Sequence, residues 1–192
     1  MVRLQVGAGA MPDLYRDMVA SLKKNYPSTQ IKGGIAPSYI VIEELRVGTG
    51  YKGDNEQRID VWIMESTGRN GKIAVEIKVS RSDFLTEMKK PLKRRPGLRL
   101  SNLFYFYAPK GMIKPTEVPP ECGLWEYSPP IGKEGYDFGF SRNIEETVKA
   151  PWRDVFPPTW SFICSMYRNL DKQHKLEIQR QLEEIESKER RK

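Results

Sequence analysis

The run "KIAVEIKVSRSDF" (72–84) sets a glutamate and a lysine two residues apart inside an otherwise apolar, β-branched stretch. In a strand, successive side chains point to opposite faces, so Glu76 and Lys78 share one face while Ile73, Val75, Ile77 and Val79 share the other. Charged side chains are seldom buried without a partner. The preceding apolar run, "RIDVWIME" (58–65), carries Asp60, and "STGRNG" between the two supplies hairpin-turn residues. A register that sets Asp60 opposite Glu76 or Lys78 brings three charges to one point, and a slip of one residue turns Asp60 to the other face. Two carboxylates at one point repel unless a cation neutralises them. Oxygen-only donors suit hard Mg²⁺ or Mn²⁺ rather than Zn²⁺. Such an ion holds a phosphate oxygen and a water, lowers the pKa of that water and neutralises charge on a phosphorane-like transition state. Lys78, one step along the same face, is placed to orient the water or to stabilise the developing charge. The chemistry expected of the trio is metal-assisted phosphodiester hydrolysis.

The elements that must hold these residues follow from hydrophobic periodicity. Residues 11–26 have apolar side chains at 14, 15, 18, 19 and 22, one face of a helix, with Pro12 suited to its first turn. Strands are expected at 38–47, 58–65, 72–80, 102–109 and 123–128. "SRSDFLTEMKK" reads as a helix capped by Ser80 or Ser82 and closed by Pro91. Residues 129–158, rich in Pro and Gly, read as an ordered loop, and 159–192 as a long helix with a charged tail. The expected fold is mixed α/β, with one domain at 1–158 and the C-terminal helix and tail as an appendage.

Composition narrows the function classes. The chain has 192 residues, 39% hydrophobic and 30% charged, which suits a soluble globular protein. No apolar run approaches the ~18 residues of a membrane span, so no membrane partner is expected. The N-terminal apolar stretch is too short for a signal peptide, so the expected location is the cytoplasm. Two isolated cysteines, Cys122 and Cys164, and a single histidine, His174, are too few for zinc fingers, zinc ribbons or a disulfide framework. The net charge of +7 favours a polyanionic partner.

Other motifs are weaker. "GTGYKG" (48–53) matches GxGxxG but is followed by a turn and a strand, where a dinucleotide site needs a helix; it is read as a hairpin loop at the rim of the site. "KKPLKRRPGLR" places Lys89, Lys90, Lys93, Arg94, Arg95 and Arg99 in one short segment after the helix that leaves the site, either solvated surface or phosphate contacts. Arg81 and Asp83 are either supports of the site or first-turn surface, and Arg81 is counted with Lys89, Lys90, Lys93, Arg94 and Arg95 as a candidate nucleic-acid contact. Phe104 and Phe106 of "FYFY" are taken as core rather than as base-stacking residues. The last helix carries Ile163, Met166, Tyr167, Leu170, His174, Ile178, Leu182 and Ile185 at three- and four-residue spacings, a stripe that packs on the domain or on a second copy. His174 is taken as a packed residue of that stripe.

Asp60, Glu76-Ile77-Lys78 and the strand–turn–strand–helix order resemble the PD-(D/E)XK nuclease superfamily. More closely, "EIKVSRSDF" followed by "FYFYAPKGMI" and "EVPPECGLWEY" resembles the MmcB-like DNA repair proteins and related phage-encoded proteins, over roughly residues 40 to 128. The resemblance implies a restriction-endonuclease-like mixed β-sheet flanked by helices. It also implies an active site of Asp60, Glu76 and Lys78, with the carbonyl of Ile77 as a metal ligand. The family often adds an upstream acid; Glu44 fits that place better than Glu43, which strand alternation groups with Val41, Leu45 and Val47. The first helix offers Asp13 and Asp17 where many members carry a glutamate. The expected function is a divalent-metal-dependent nuclease acting on DNA, in repair or phage DNA metabolism. Its rivals are a nucleic-acid-binding module of the same fold without turnover, and a protein-interaction domain whose charge network is structural.

Overall fold

The apolar stripe of α1 (Ala10–Asn25) closes against one face of a sheet, burying Met18, Val19 and Leu22. The computed structural model describes residues 10–27, 39–47, 58–66, 68–129 and 143–190. The sheet has six strands in sequence order, β1 (Tyr39–Arg46), β2 (Arg58–Glu65), β3 (Lys72–Ile77), β4 (Leu103–Pro109), β5 (Gly123–Tyr127) and β6 (Ile144–Val148). β1, β2 and β3 form an antiparallel meander. β3, β4 and β5 run parallel, and β6 returns antiparallel at the edge. This is the expected mixed α/β architecture, a sheet flanked by helices with a long C-terminal helix.

Both sheet faces are covered, which explains why the central strands read as continuous apolar runs rather than alternating ones. Val61, Ile63, Val75, Ile77, Tyr105, Tyr107 and Trp125 pack on the α1 side. Trp62, Ala74, Phe104, Phe106 and Leu124 pack on the other side, with Phe84 of α2 (Arg81–Met88) and Phe162 of α4 (Trp160–Glu189). Phe104 and Phe106 are core as expected, and so are Tyr105 and Tyr107 on the opposite face. The parallel step from β3 to β4 runs through α2, a 3₁₀ turn (Pro91–Arg94) and α3 (Arg95–Leu100). Gly97 lets α3 lie directly on β4: an added Cβ would sit 2.7 Å from a ring carbon of Phe104.

Several boundaries differ from the sequence reading. β3 stops at Ile77, and Ser80 rather than Ser82 caps α2, its Oγ accepting the Asp83 amide at 3.2 Å. Pro91 both ends α2 and opens the 3₁₀ turn, so the basic run is folded chain. The region expected as loop contains β6, whose polar "IEETV" suits an exposed sheet edge and hides it from a hydrophobicity reading. The first turns of α4 are fastened to the sheet: Ser165 donates to the Arg46 carbonyl and Gln173 to that of Glu43, both at 2.8 Å. Beyond them α4 is exposed, and His174 and Tyr167 face outward rather than packing. The "GTGYKG" loop and the tail's last two residues lie outside the described residues.

Candidate functional site

The β2–β3 register pairs Val61 with Val75 and Trp62 with Ala74, which sets Asp60 across from Glu76. The ladder ends at Val61–Val75. Past that point a side chain replaces the main-chain acceptor: Asp60 Oδ2 takes the Ile77 amide proton at 2.8 Å. On the far side of β2, the β1–β2 pairing passes from Glu43–Val61 to Leu45–Ile59, and Glu44 between them has φ +50°. That left-handed turn is costly for a residue with a Cβ. It also breaks the strand alternation, so Ile42 and Leu45, three residues apart, reach the same core cluster. Glu44 is left beside Asp60, accepting from Tyr15 Oη at 3.3 Å and pairing with Arg58 at 3.2 Å. Glu43 instead pairs with Lys23.

Beyond the end of β3, the Lys78 amide donates to the Tyr107 carbonyl at 2.9 Å and keeps the extended course. Lys78 therefore points to the same face as Glu76, toward α2. There its ammonium lies 3.4 Å from Glu76 Oε2, 2.5 Å from Glu87 Oε2 and 3.5 Å from Asp83 Oδ2. Lys93, on the 3₁₀ turn, reaches the same two oxygens, 3.2 Å from Glu87 and 3.9 Å from Glu76. Glu76, Lys78 and Glu87 are 4%, 2% and 3% exposed, whereas the Lys93 side chain is 46% exposed.

Burial and crowding set the charges. Burial raises the Glu76 carboxyl, the Asp60 and Glu87 charges raise it further, and Lys78 and Lys93 offset only part, leaving it at about 8. Burial also raises Asp60, against the Ile77 amide and Lys78, which favour its ionised form. Burial pulls the Lys78 ammonium down, but Glu76 and Glu87 more than compensate, so Lys78 stays protonated. The Tyr15 phenol is driven upward by burial and by the charges of Asp60 and Glu44.

The expected residues are thus sorted by the fold. Asp60, Glu76 and Lys78 meet at the ends of β2 and β3, with Glu44 adjacent to Asp60. Ile77 contributes its amide to Asp60. Arg81 is clamped by Glu117, with one bond at 2.7 Å, and donates to the Met112 carbonyl at 3.2 Å. Arg94, expected among the phosphate contacts, is 5% exposed, paired with Glu121 at 3.3 Å and stacked over Phe106, so it belongs to the core margin. Lys93 turns to the acids. Lys89, Lys90 and Arg95 remain exposed.

Sequence reading missed Glu87 and Tyr15. Glu87 lies three residues after the buried Phe84 and four after Asp83, a spacing that places it on the inward face of α2. Tyr15 lies on the α1 stripe, where its ring reads as core.

Among the described residues, no group of three or more His, Cys, Asp or Glu side chains is arranged to hold a metal ion. A cation at this point would have to rest on two carboxylates, Asp60 and Glu76, with other oxygens such as water completing its shell. That donor set fits Mg²⁺ or Mn²⁺: Mg²⁺ typically keeps several waters and uses only one or two carboxylates. Burial is the main reason both carboxyls are held above their ordinary range, and a bound cation would favour their ionised forms.

No family model matches the chain, and no curated protein matches it. Among solved structures it is similar to a protein of unknown function from Silicibacter pomeroyi, with 17% sequence identity and a TM-score of 0.45, over 73% of this chain and 77% of that one. A likeness of that degree assigns no chemistry. No described helix is long and apolar enough to cross a membrane.

Proposed function

We propose that the chain is a divalent-metal-dependent nuclease that hydrolyses DNA phosphodiester bonds, in DNA repair or phage DNA metabolism, as the PD-(D/E)XK resemblance implies. The observation that carries this reading is the meeting of Asp60, Glu76 and Lys78 at the end of β3, with both carboxyls held above their ordinary range. Asp60 and Glu76, with the Ile77 carbonyl, are the residues to hold Mg²⁺ or Mn²⁺. The ion supplies Lewis-acid activation of water and of the phosphate. Asp60 is fixed for that task by the Ile77 amide. Lys78, kept protonated by Glu76 and Glu87, is a cationic donor toward developing negative charge rather than a base. Glu44 acts on Asp60 through its charge. Exposed Lys89, Lys90 and Arg95 are the residues to contact phosphate.

A second reading is favoured by the pairing of the buried Glu76 and Glu87 with two lysines, buried Lys78 and half-exposed Lys93. A network so compensated also suits a nucleic-acid-binding module of the same fold without turnover. In either reading the proposed location is the cytoplasm. A second copy is proposed to pack on the outer half of α4, where Ile178, Leu182 and Ile185 stand exposed along one side. Light scattering with and without residues 176–192 tests the dimer. Incubation with single-stranded, double-stranded, flap and RNA substrates, in Mn²⁺, Mg²⁺ or EDTA, tests the nuclease.

A further inference from the structure

The acids at the end of β3 and on α2 are served by two lysines of different standing. Lys78 is locked: it comes off the central strand, is 2% exposed and contacts three carboxylates. Lys93 comes from a 3₁₀ turn at the surface, keeps nearly half its side chain in water, and reaches the same oxygens at longer range. Withdrawing it gives up its two ion pairs but leaves its ammonium in solvent, a smaller rearrangement than moving the buried Lys78. Lys89, Lys90 and Arg95 on the same basic segment are exposed.

Charge makes Lys93 and a divalent ion alternatives. Lys93 lies 3.9 Å from Glu76 Oε2, so a divalent ion held by that carboxylate would stand within a few ångströms of its ammonium and repel it. Of the two lysines on the acids, Lys93 is the one that can retreat to water, because Lys78 is buried among Glu76, Asp83 and Glu87. Glu87 Oε1, buried and without a hydrogen-bond partner, leaves this acid with acceptor capacity for Lys78 once Lys93 has gone.

We propose that Lys93 is a displaceable cation: its ammonium pairs with Glu87 and Glu76 in the metal-free protein, leaves when a divalent ion binds at Asp60 and Glu76, and then contacts a phosphate of the nucleic acid. The proposal rests on the nuclease reading of the same site and names how that site couples metal to substrate. Metal loading opposes the Lys93–Glu87 pair, and the freed lysine then strengthens DNA binding.

The test uses the full chain and Mn²⁺ alone, by calorimetry and by the Mn²⁺-induced rise in unfolding midpoint. It compares the parent with Lys93→Met, Lys93→Arg and Asp60→Asn. Lys93→Met removes the competitor, so it binds Mn²⁺ about three- to tenfold more tightly and gains more stability from Mn²⁺ than the parent. Lys93→Arg keeps the charge and stays close to the parent. With Mn²⁺ present, Lys93→Met binds a phosphorothioate oligonucleotide more weakly, with a salt slope smaller by roughly 0.7 to 0.9. Equal or weaker Mn²⁺ binding by Lys93→Met, with the parent's binding still lost in Asp60→Asn, overturns the lysine proposal and leaves the nuclease reading standing. An unchanged affinity for the oligonucleotide overturns the phosphate step. No Mn²⁺ binding by parent or Lys93→Met overturns both readings.

Discussion

The Asp60 carboxylate accepts the Ile77 amide proton at 2.8 Å, at the point where the β2–β3 ladder has ended. One oxygen closes the backbone of β3, leaving the other for work at the site. Asn at this position still offers an acceptor, whereas Ala leaves a part-buried amide without one. Asp60→Ala should therefore lower stability by about 1–3 kcal/mol and Asp60→Asn by much less, in urea denaturation followed by circular dichroism.

Glu76 gives the metal-free protein a pH signature. Its folded carboxyl sits at about 8 against an ordinary 4.5, so the folded state keeps a proton that the unfolded chain releases. Stability should then fall as pH rises from about 4.5 through 8 and level off above that. Asp60, also raised, adds to the fall with the same sign. Thermal melts across this range in EDTA check the slope. Glu76→Gln should flatten it, and saturating Mn²⁺, which favours the ionised carboxylates, should flatten it as well.

Lys78 is the structural centre of the cluster as well as its proposed donor. Lys78→Ala leaves the buried Glu76 and Glu87 with only the half-exposed Lys93 for compensation, which should cost about 3–5 kcal/mol. Adding Glu87→Gln removes one of the stranded charges and should recover a substantial part. Chemical denaturation of the two single variants and the double variant measures the coupling, and purely additive losses would refute the network.

How much of this was legible in the sequence depends on which force placed each residue. The trio was readable because β-strand alternation and a short turn fix which side chains share a face, and the β2–β3 register sets Val61, Ile63 and Val75 together against α1. Regular alternation favours Glu44 over Glu43 beside Asp60, but a positive φ at Glu44 itself breaks that alternation. Glu87 and the turn of Lys93 toward it depend on how α2 and the 3₁₀ turn fold back over β3, a tertiary packing that local periodicity does not encode. Arg94 read as one more member of a charge run; its burial follows from the ring of Phe106 and the carboxylate of Glu121, both remote in sequence.

The basic segment divides accordingly. Changing exposed Lys89, Lys90 and Arg95 together to Ala should weaken DNA binding on every sequence alike and reduce the salt slope by about 2 to 3, at roughly 0.7–0.9 per phosphate. Arg94→Ala should act instead on stability, lowering the unfolding midpoint, because it strands Glu121 and opens space over Phe106. An unchanged salt slope in the triple variant would return those residues to plain solvated surface.

The central claim is that Asp60 and Glu76 hold a metal that cleaves DNA. The most direct measurement is cleavage of single-stranded, double-stranded and flap DNA, with RNA alongside, by the parent and by Asp60→Asn, in Mn²⁺, Mg²⁺ or EDTA. The account predicts metal-dependent cleavage of at least one DNA substrate by the parent, none in EDTA, and none by a folded Asp60→Asn. A parent that cleaves nothing with either metal, or an Asp60→Asn variant that cleaves like the parent, would contradict it.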